Sequence, residues 1–268
     1  MSRNIIVTGA SGSMGAEAVR ALALAGNHVL MACRNIDKAD AVRKSILSEI
    51  PEASIDLEKL DLSSIDSVKS FCSSIEGMKV DALFNNAGII NREYRLTSDG
   101  FENTLATNYL GPYCLTRMLL PMMPDGARIV NMVSLTCRFG KVDRDFFNKG
   151  KESFRQLGTY SDTKLALLLF SIALSRKERR IHVNVSDPGI VNSNMLSMGR
   201  WFDRLADIFF RPFCSSPEKG VSPALKALSS DCDLNYFVGK THFPVKERYL
   251  SHPMADWLWN ETEKLLHL

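Results

Sequence analysis

The chain has 268 residues with no Pro/Gly/Ser linker or block of like charge dividing it, so residues 1–268 are expected to form one α/β domain. Hydrophobic residues make up 45% and charged residues 24%, the balance of an ordinary soluble globule, and a net charge of +3 with dispersed Lys and Arg gives no footprint for nucleic acid. No early apolar run approaches the ~18 residues of a spanning segment, so neither signal peptide nor membrane anchor is expected.

Asn4 to Thr8 (NIIVT) suits a buried parallel strand and runs straight into Gly9 to Gly15, GASGSMG. From Met14 the spacing turns helical, with Met14, Ala18, Leu22 and Ala25 on one side, and His28 to Cys33 returns to strand. A small-residue turn that feeds a helix N-terminus offers backbone N–H groups and a positive dipole end to a phosphate. The glycines stand at 9, 12 and 15, with Ser13 at a position where a residue of positive φ would be strained. Taken alone, the turn also reads as a plain strand-to-helix connection.

Asn35 is a cap for a helix from about Asp37 to Ile50, which Pro51 stops, and Ser54 to Leu60 is a third strand. Asp61 follows, then Ser63 or Ser64 as the cap of a helix whose stripe is Val68, Phe71, Cys72 and Ile75. Val80 to Phe84 is a fourth strand and delivers the small polar run Asn85-Asn86-Ala87-Gly88 to its C-terminal end. A weak helix near Ser98 to Ala106, a longer one from Asn108 to Met122 and a fifth strand, Ala127 to Val133, come next.

Ser134 closes that strand. Leu135 to Ser153 is polar and irregular, and Phe154 to Lys177 holds a helix whose centre, Leu165 to Leu169, is apolar all round. Ile181 to Ser186 is a sixth strand, broken by Pro188-Gly189. The many large apolar residues from Met195 to Phe213 look like a flap over a pocket. Ser216-Pro217 starts a helix to about Ser229, Phe237-Val238 belongs to a last strand, and Ala255 to Leu266 is a closing helix with Trp257, Leu258, Leu265 and Leu266 as packing candidates. The alternation predicts a Rossmann-type, doubly wound, mostly parallel sheet of about seven strands with helices on both faces.

Tyr160 and Lys164 stand i,i+4 on the helix after the fifth strand and therefore share a face. An ammonium beside a phenol favours the phenolate, which lowers the tyrosine pKa towards a value useful in proton transfer. Crossover topology brings Ser134 near that helix, so two hydroxyls can hold a carbonyl oxygen while hydride reaches its carbon. The six scattered cysteines, Cys33, Cys72, Cys114, Cys137, Cys214 and Cys232, form no C-x-x-C pair and read as free thiols of a reducing cytoplasm. No H-E-x-x-H appears among the five histidines, and no metal site is expected.

In order along the chain, Thr8-Gly9, Asn85-Asn86-Ala87-Gly88, Asn108, Ser134, Tyr160-x-x-x-Lys164 and Pro188-Gly189 resemble the short-chain dehydrogenase/reductase family, and within it the retinol-dehydrogenase-like branch. The resemblance implies an oxidoreductase with Tyr160 as general acid and base, and Ser134 polarising the substrate oxygen. It gives Lys164 the nicotinamide ribose and the lowering of the Tyr160 pKa, and has Asn108 anchor a water that leads protons to solvent. A helix cap is the bland alternative for Asn108.

The same resemblance implies cofactor contacts at Gly9, Ser11, Gly12, Ser13, Met14 and Gly15, then Asp61 and Leu62 by the adenine and Asn86, Ala87 and Gly88 by the ribose. Tyr160 and Lys164 contribute again, with Pro188, Gly189, Ile190, Val191 and Ser193 near the carboxamide. Ser193 replaces the threonine of many members. Asp61 also reads as a simple turn residue. Arg34 ends the second strand with no acid before Asp37, which favours a 2'-phosphate and thus NADP over NAD. The expected substrate is a small hydrophobic carbonyl or alcohol; a homodimer and a monomer are both compatible, because Lys141 to Ser153 could either cover a dimerising helix face or rim the substrate cleft.

Overall fold

The structure is a computed structural model and describes residues 2–191 and 215–268. Its strands are β1 (Asn4–Thr8), β2 (His28–Cys33), β3 (Ser54–Lys59), β4 (Ala82–Asn85), β5 (Arg128–Met132), β6 (His182–Asp187), β7 (Asn235–Val238) and β8 (Thr241–Pro244). They form one sheet in the order β3-β2-β1-β4-β5-β6-β7-β8, parallel as far as β7. The direction of winding reverses between β1 and β4, where such sheets open a crevice at their C-terminal ends.

The eighth strand is the departure from the expected seven. It pairs antiparallel with β7 after Gly239, whose φ of +56° lets the chain double back. All four residues of β8 are exposed, so its sequence carries no alternation of buried and exposed positions.

Helices α1 (Ser13–Leu24), α2 (Ile36–Glu49), α3 (Ile65–Ser74), α4 (Asn103–Leu105), α5 (Gly111–Leu119), α6 (Gln156–Lys177), α7 (Pro217–Ser229), α8 (Glu247–Leu250) and α9 (Ala255–Leu266) cover the sheet. Asn35 caps α2, Ser64 rather than Ser63 caps α3, and Ser216 caps α7, each accepting a backbone N–H. On one face Ile5, Val7, Val29 and Met31 pack with α1, α2 and α7; on the other Ile6, Leu30, Leu83 and Ile129 pack with α3, α5, α6 and α9. Successive strand residues point to opposite faces and both faces are dry, which is why these strands read as unbroken apolar runs. On α9 the buried residues are Ala255, Leu258, Trp259, Thr262 and Leu266, with Trp257 and Leu265 only partly covered.

The single helix expected from Asn108 to Met122 is instead a π-helical turn, Ala106–Leu110, followed by α5 and a 3₁₀ turn, Leu120–Met122. Pro112 has no N–H to offer the Asn108 carbonyl four residues earlier, so regular i→i+4 pairing cannot run through this point. Gly111 meets a second constraint there, since a Cβ on it would lie 2.2 Å from the Leu62 carbonyl oxygen.

Leu165 to Leu174 of α6 are all buried. The helix is long and apolar enough to cross a membrane, yet 78% of its most apolar window is buried inside the protein. Part of that cover is the irregular excursion after Ser134, which lies on the helix side of the fold. Lys141 N and Lys149 Nζ reach the two oxygens of Asp162, at 2.7 and 2.9 Å, while Phe146 and Phe147 pack against Tyr109 and Phe147 against Trp257. Of the two expectations for this stretch, covering the helix surface is the one these contacts match. The expected flap, Met195 to Phe213, lies outside the described residues, as do Ser193 and Cys214.

Candidate active site

Because β1, β4, β5 and β6 are parallel, their following loops all emerge at one edge of the sheet, and the residues singled out above gather there. Gly9 leaves β1 with φ +64°, its N–H held by the Ala32 carbonyl at 3.0 Å. A Cβ on Gly9 would sit 2.9 Å from the Ala87 Cα, and one on Gly15 would sit 2.3 Å from the Gly9 carbonyl oxygen. Those two positions need glycine. Gly12 is extended and caps α1, whereas Ser13 is simply the first helical residue, so serine there is unstrained.

The end of α1 also differs from its neighbours. Helices α2, α3 and α7 each have a side-chain cap and an acid in the first turn; α1 has neither. Its N–H groups and positive dipole end are thus left to an external anion, and the glycines hold open the space a Cβ would fill, which fits the pyrophosphate of a dinucleotide. Beneath the turn, burial pushes the Cys33 thiol pKa up, offset in part by hydrogen bonds with Ser11 and Ala10. Met14 points the other way, towards α7, where a Cβ on Gly220 would lie 3.3 Å from its sulfur.

Arg34 follows β2 beside this turn, exposed and with no ion pair among the described residues. Arg20, by contrast, is engaged with Glu17 and Glu49. Asp61 accepts both the Ser63 N–H at 2.9 Å and its hydroxyl at 2.6 Å, so one carboxylate oxygen is spent on its own turn. The adjoining Leu62 is buried. Asn86 ties the β4 loop to β1 by donating to the Thr8 carbonyl at 2.8 Å, and the Thr8 hydroxyl accepts the N–H groups of Asn86 and Ala87, both at 3.1 Å. Thr8, which the sequence marked as a strand end and as part of the Thr8-Gly9 pair, is a positioning residue.

Lys164, Asn108 and Gly88 converge next to it. A Cβ on Gly88 would lie 3.3 Å from Lys164 Nζ and 3.5 Å from Asn108 Oδ1. Fully buried Asn108 clamps the Ile89 backbone, accepting its N–H at 2.8 Å and donating to its carbonyl at 2.9 Å, and also donates to the Thr163 hydroxyl at 3.2 Å. It is therefore no helix cap. Lys164 Nζ donates to the Met132 carbonyl at 2.7 Å and stands 5.7 Å from the centre of the Tyr160 ring.

Ser134 Oγ accepts from the N–H and hydroxyl of Thr136, at 3.3 and 3.2 Å, which leaves its own proton to donate outward. Its hydrogen bond to Tyr160 lowers the phenol's pKa, but burial outweighs it and pushes the value up to about 12. The expected lowering by Lys164 is corrected here: burial dominates the phenol and also draws the Lys164 ammonium down to about 8. Removing either charge from water costs more than this pair regains across the ring.

Beyond β6, Pro188 leads to Gly189 at φ +69°, whose N–H is held by Asp187 Oδ1 at 2.9 Å, and buried Val191 packs on Gly220 of α7. Ile190 is 66% exposed. Asp187 is a further buried group in the site, accepting the Tyr236 hydroxyl at 2.7 Å. Its only sequence signal was its place just before Pro188-Gly189.

Residues 3–200 match the family described as short chain dehydrogenase. Retinol dehydrogenase 13 of Homo sapiens is 32% identical, over 99% of this chain and 85% of its own length. The chloroplastic short-chain dehydrogenase TIC 32 A of Brassica napus is also 32% identical, over 97% of this chain and 88% of its own. Among solved structures, an uncharacterized protein from Mycobacterium Paratuberculosis superposes with a TM-score of 0.77 at 28% identity, covering 99% of this chain and 93% of that one.

Proposed function

Since the chain belongs to the short chain dehydrogenase family, we propose that it is an NADP-dependent oxidoreductase acting on a hydrophobic carbonyl or alcohol, with Tyr160 as its acid–base group. The observation that carries this reading is that Lys164 and Asn108 meet at the Gly88 loop while Tyr160 stands beside both Lys164 and Ser134, at the same sheet edge as the glycine turn. The nicotinamide, when bound, supplies or takes up the hydride at the carbonyl carbon.

Ser134 orients the substrate oxygen with the hydroxyl proton it turns towards Tyr160. Tyr160, a phenol at neutral pH, donates a proton to that oxygen as reduction proceeds, which makes reduction the easier direction below the high pKa of this group. Lys164 holds ribose hydroxyls with the ammonium now on the Met132 carbonyl, and its charge stabilises the transient phenolate. Asn108 fixes the Ile89 backbone and with it the floor of the nicotinamide end. Gly9, Ser11, Gly12, Ser13, Met14 and Gly15 form the pyrophosphate turn, with Asp61, Leu62, Asn86, Ala87 and Gly88 on the adenosine side. Pro188, Gly189 and Val191 border the carboxamide.

Arg34 supports NADP, because an unpaired guanidinium beside the ribose site pairs with a 2'-phosphate, and no carboxylate at the end of β2 competes for the 2'-hydroxyl. Fluorescence titration with NADPH and NADH, repeated on Arg34→Ala, tests this. NADPH is expected to bind about ten- to a hundredfold more tightly, with most of the preference lost in the variant. Equal binding of both nucleotides, or a preference untouched by the substitution, would overturn the choice of NADP. The apolar composition of residues 195–213 supports a lipophilic substrate.

A further inference from the structure

A pocket of about 160 Å³ opens beside the reacting groups. Cys137, Asp187 and Tyr236 are among its walls, and Arg138, Lys246 and Arg248 also line it. Leu135, in its wall, directly follows Ser134, and the Cys137 N–H donates to the Ser134 carbonyl at 2.9 Å. Asp187 extends β6 one residue past Ser186, which pairs with Met132 of β5, the residue whose carbonyl holds Lys164. The pocket thus adjoins the place where a carbonyl oxygen would be held.

Its charge is lopsided. Asp187, its one acid among the described residues, is 1% exposed and already satisfied by the Gly189 N–H and the Tyr236 hydroxyl. Glu247 stands between two of the cations in sequence but does not line the pocket. Arg248 is held in place, its guanidinium 4.6 Å over the Tyr249 ring and donating to that hydroxyl at 2.7 Å. Arg138 and Lys246 are exposed and have no ion pair among the described residues, whereas Arg43, Arg117 and Lys149 each meet a carboxylate. Three cations around one opening repel each other, and an anion between them removes that cost while gaining charge-assisted hydrogen bonds.

We propose that this pocket is a substrate subsite for an anionic group, so that the substrate is an amphipathic carbonyl or alcohol with a carboxylate or phosphate near its reacting carbon. The inference rests on the oxidoreductase reading above. Arg138 and Lys246 contact the anion from the open side and Arg248 from its fixed position, while Tyr236, Phe243 and Tyr249 offer aromatic faces to the body of the molecule.

The test compares three aldehydes under NADPH: 4-formylbenzoate, its methyl ester and 4-formylphenyl phosphate. Either charged aldehyde is expected to exceed the ester in kcat/KM by about tenfold or more, a ratio that shrinks with added salt, and whichever is favoured identifies carboxylate or phosphate. In the Arg138→Ala/Lys246→Ala double variant the ratio should fall close to one. Ester and charged aldehydes reduced equally well, or a ratio unchanged in the double variant, would overturn the subsite while leaving the oxidoreductase standing. If none of the three turned over with NADPH demonstrably bound, the oxidoreductase reading would be the casualty. Calorimetric titration with benzoate and phenyl phosphate then decides the subsite by itself: binding that the double variant loses supports it, and no binding overturns it.

Discussion

The two ends of the sheet are built differently. From β1 to β4 each strand hands over to a helix and the chain returns by a parallel strand, with side-chain caps on α2 and α3 and a bare end on α1. Beyond β5 the same alternation is interrupted by irregular stretches, and single contacts hold these in place. Gly140 lies where a Cβ would be 2.4 Å from the Ser161 carbonyl, Lys149 pairs with Asp162, and Tyr236 donates to buried Asp187. In the proposed function the first region is the nucleotide platform. The second holds the groups proposed to touch a substrate, and such groups answer to the shape of one ligand rather than to a repeat.

Removing an anchor of the irregular region should have the largest effect. Phe146→Ala deletes a ring 3% exposed that packs edge-on to Tyr109 at 5.8 Å, and should cost about 3–5 kcal/mol in urea unfolding while NADPH still binds the folded protein. A loss of nucleotide affinity in that folded variant would show that the two regions are not separable. Gly15→Ala should strike the regular region in the opposite sense. Its methyl meets backbone at 2.3 and 2.7 Å, so about 1–3 kcal/mol of stability and most nucleotide binding should go together. Unaltered binding would mean the turn is not a phosphate site.

A smaller effect sharpens the boundary between the regions, at Lys164. With a pKa drawn down to about 8 by burial, the ammonium loses its proton as pH rises through that value. Reduction should therefore slow above pH 8, by about tenfold one unit higher, if its charge supports ribose binding and the phenolate. The falling limb should move to higher pH in Lys164→Arg, whose side chain stays protonated. A limb that stays put would assign it to another group.

The same contrast explains what could be read from the sequence. Apolar strands at a regular interval, caps at Asn35 and Ser216 and the i,i+4 pair Tyr160 and Lys164 are local patterns, so the Rossmann-type fold and the proximity of Tyr160 to Lys164 were legible. The exposed strand β8 has no burial period, and the π turn around Asn108 depends on Pro112 and on Gly111 meeting Leu62 from a distant loop. Neither leaves a local trace. The pKa of Tyr160 was misread for a related reason: spacing shows that a lysine is near, but only the packed structure shows how dry the phenol is.

The proposed function turns on proton transfer by Tyr160 to a carbonyl oxygen held at Ser134. Its most direct test is a single turnover in which protein saturated with NADPH is mixed with a hydrophobic aldehyde, for the parent chain and for Tyr160→Phe, while nicotinamide absorbance is followed. Rapid oxidation of bound NADPH is expected in the parent chain and a rate about 10²- to 10⁴-fold lower in the variant, at equal nucleotide occupancy. Equal rates for the two proteins would contradict it.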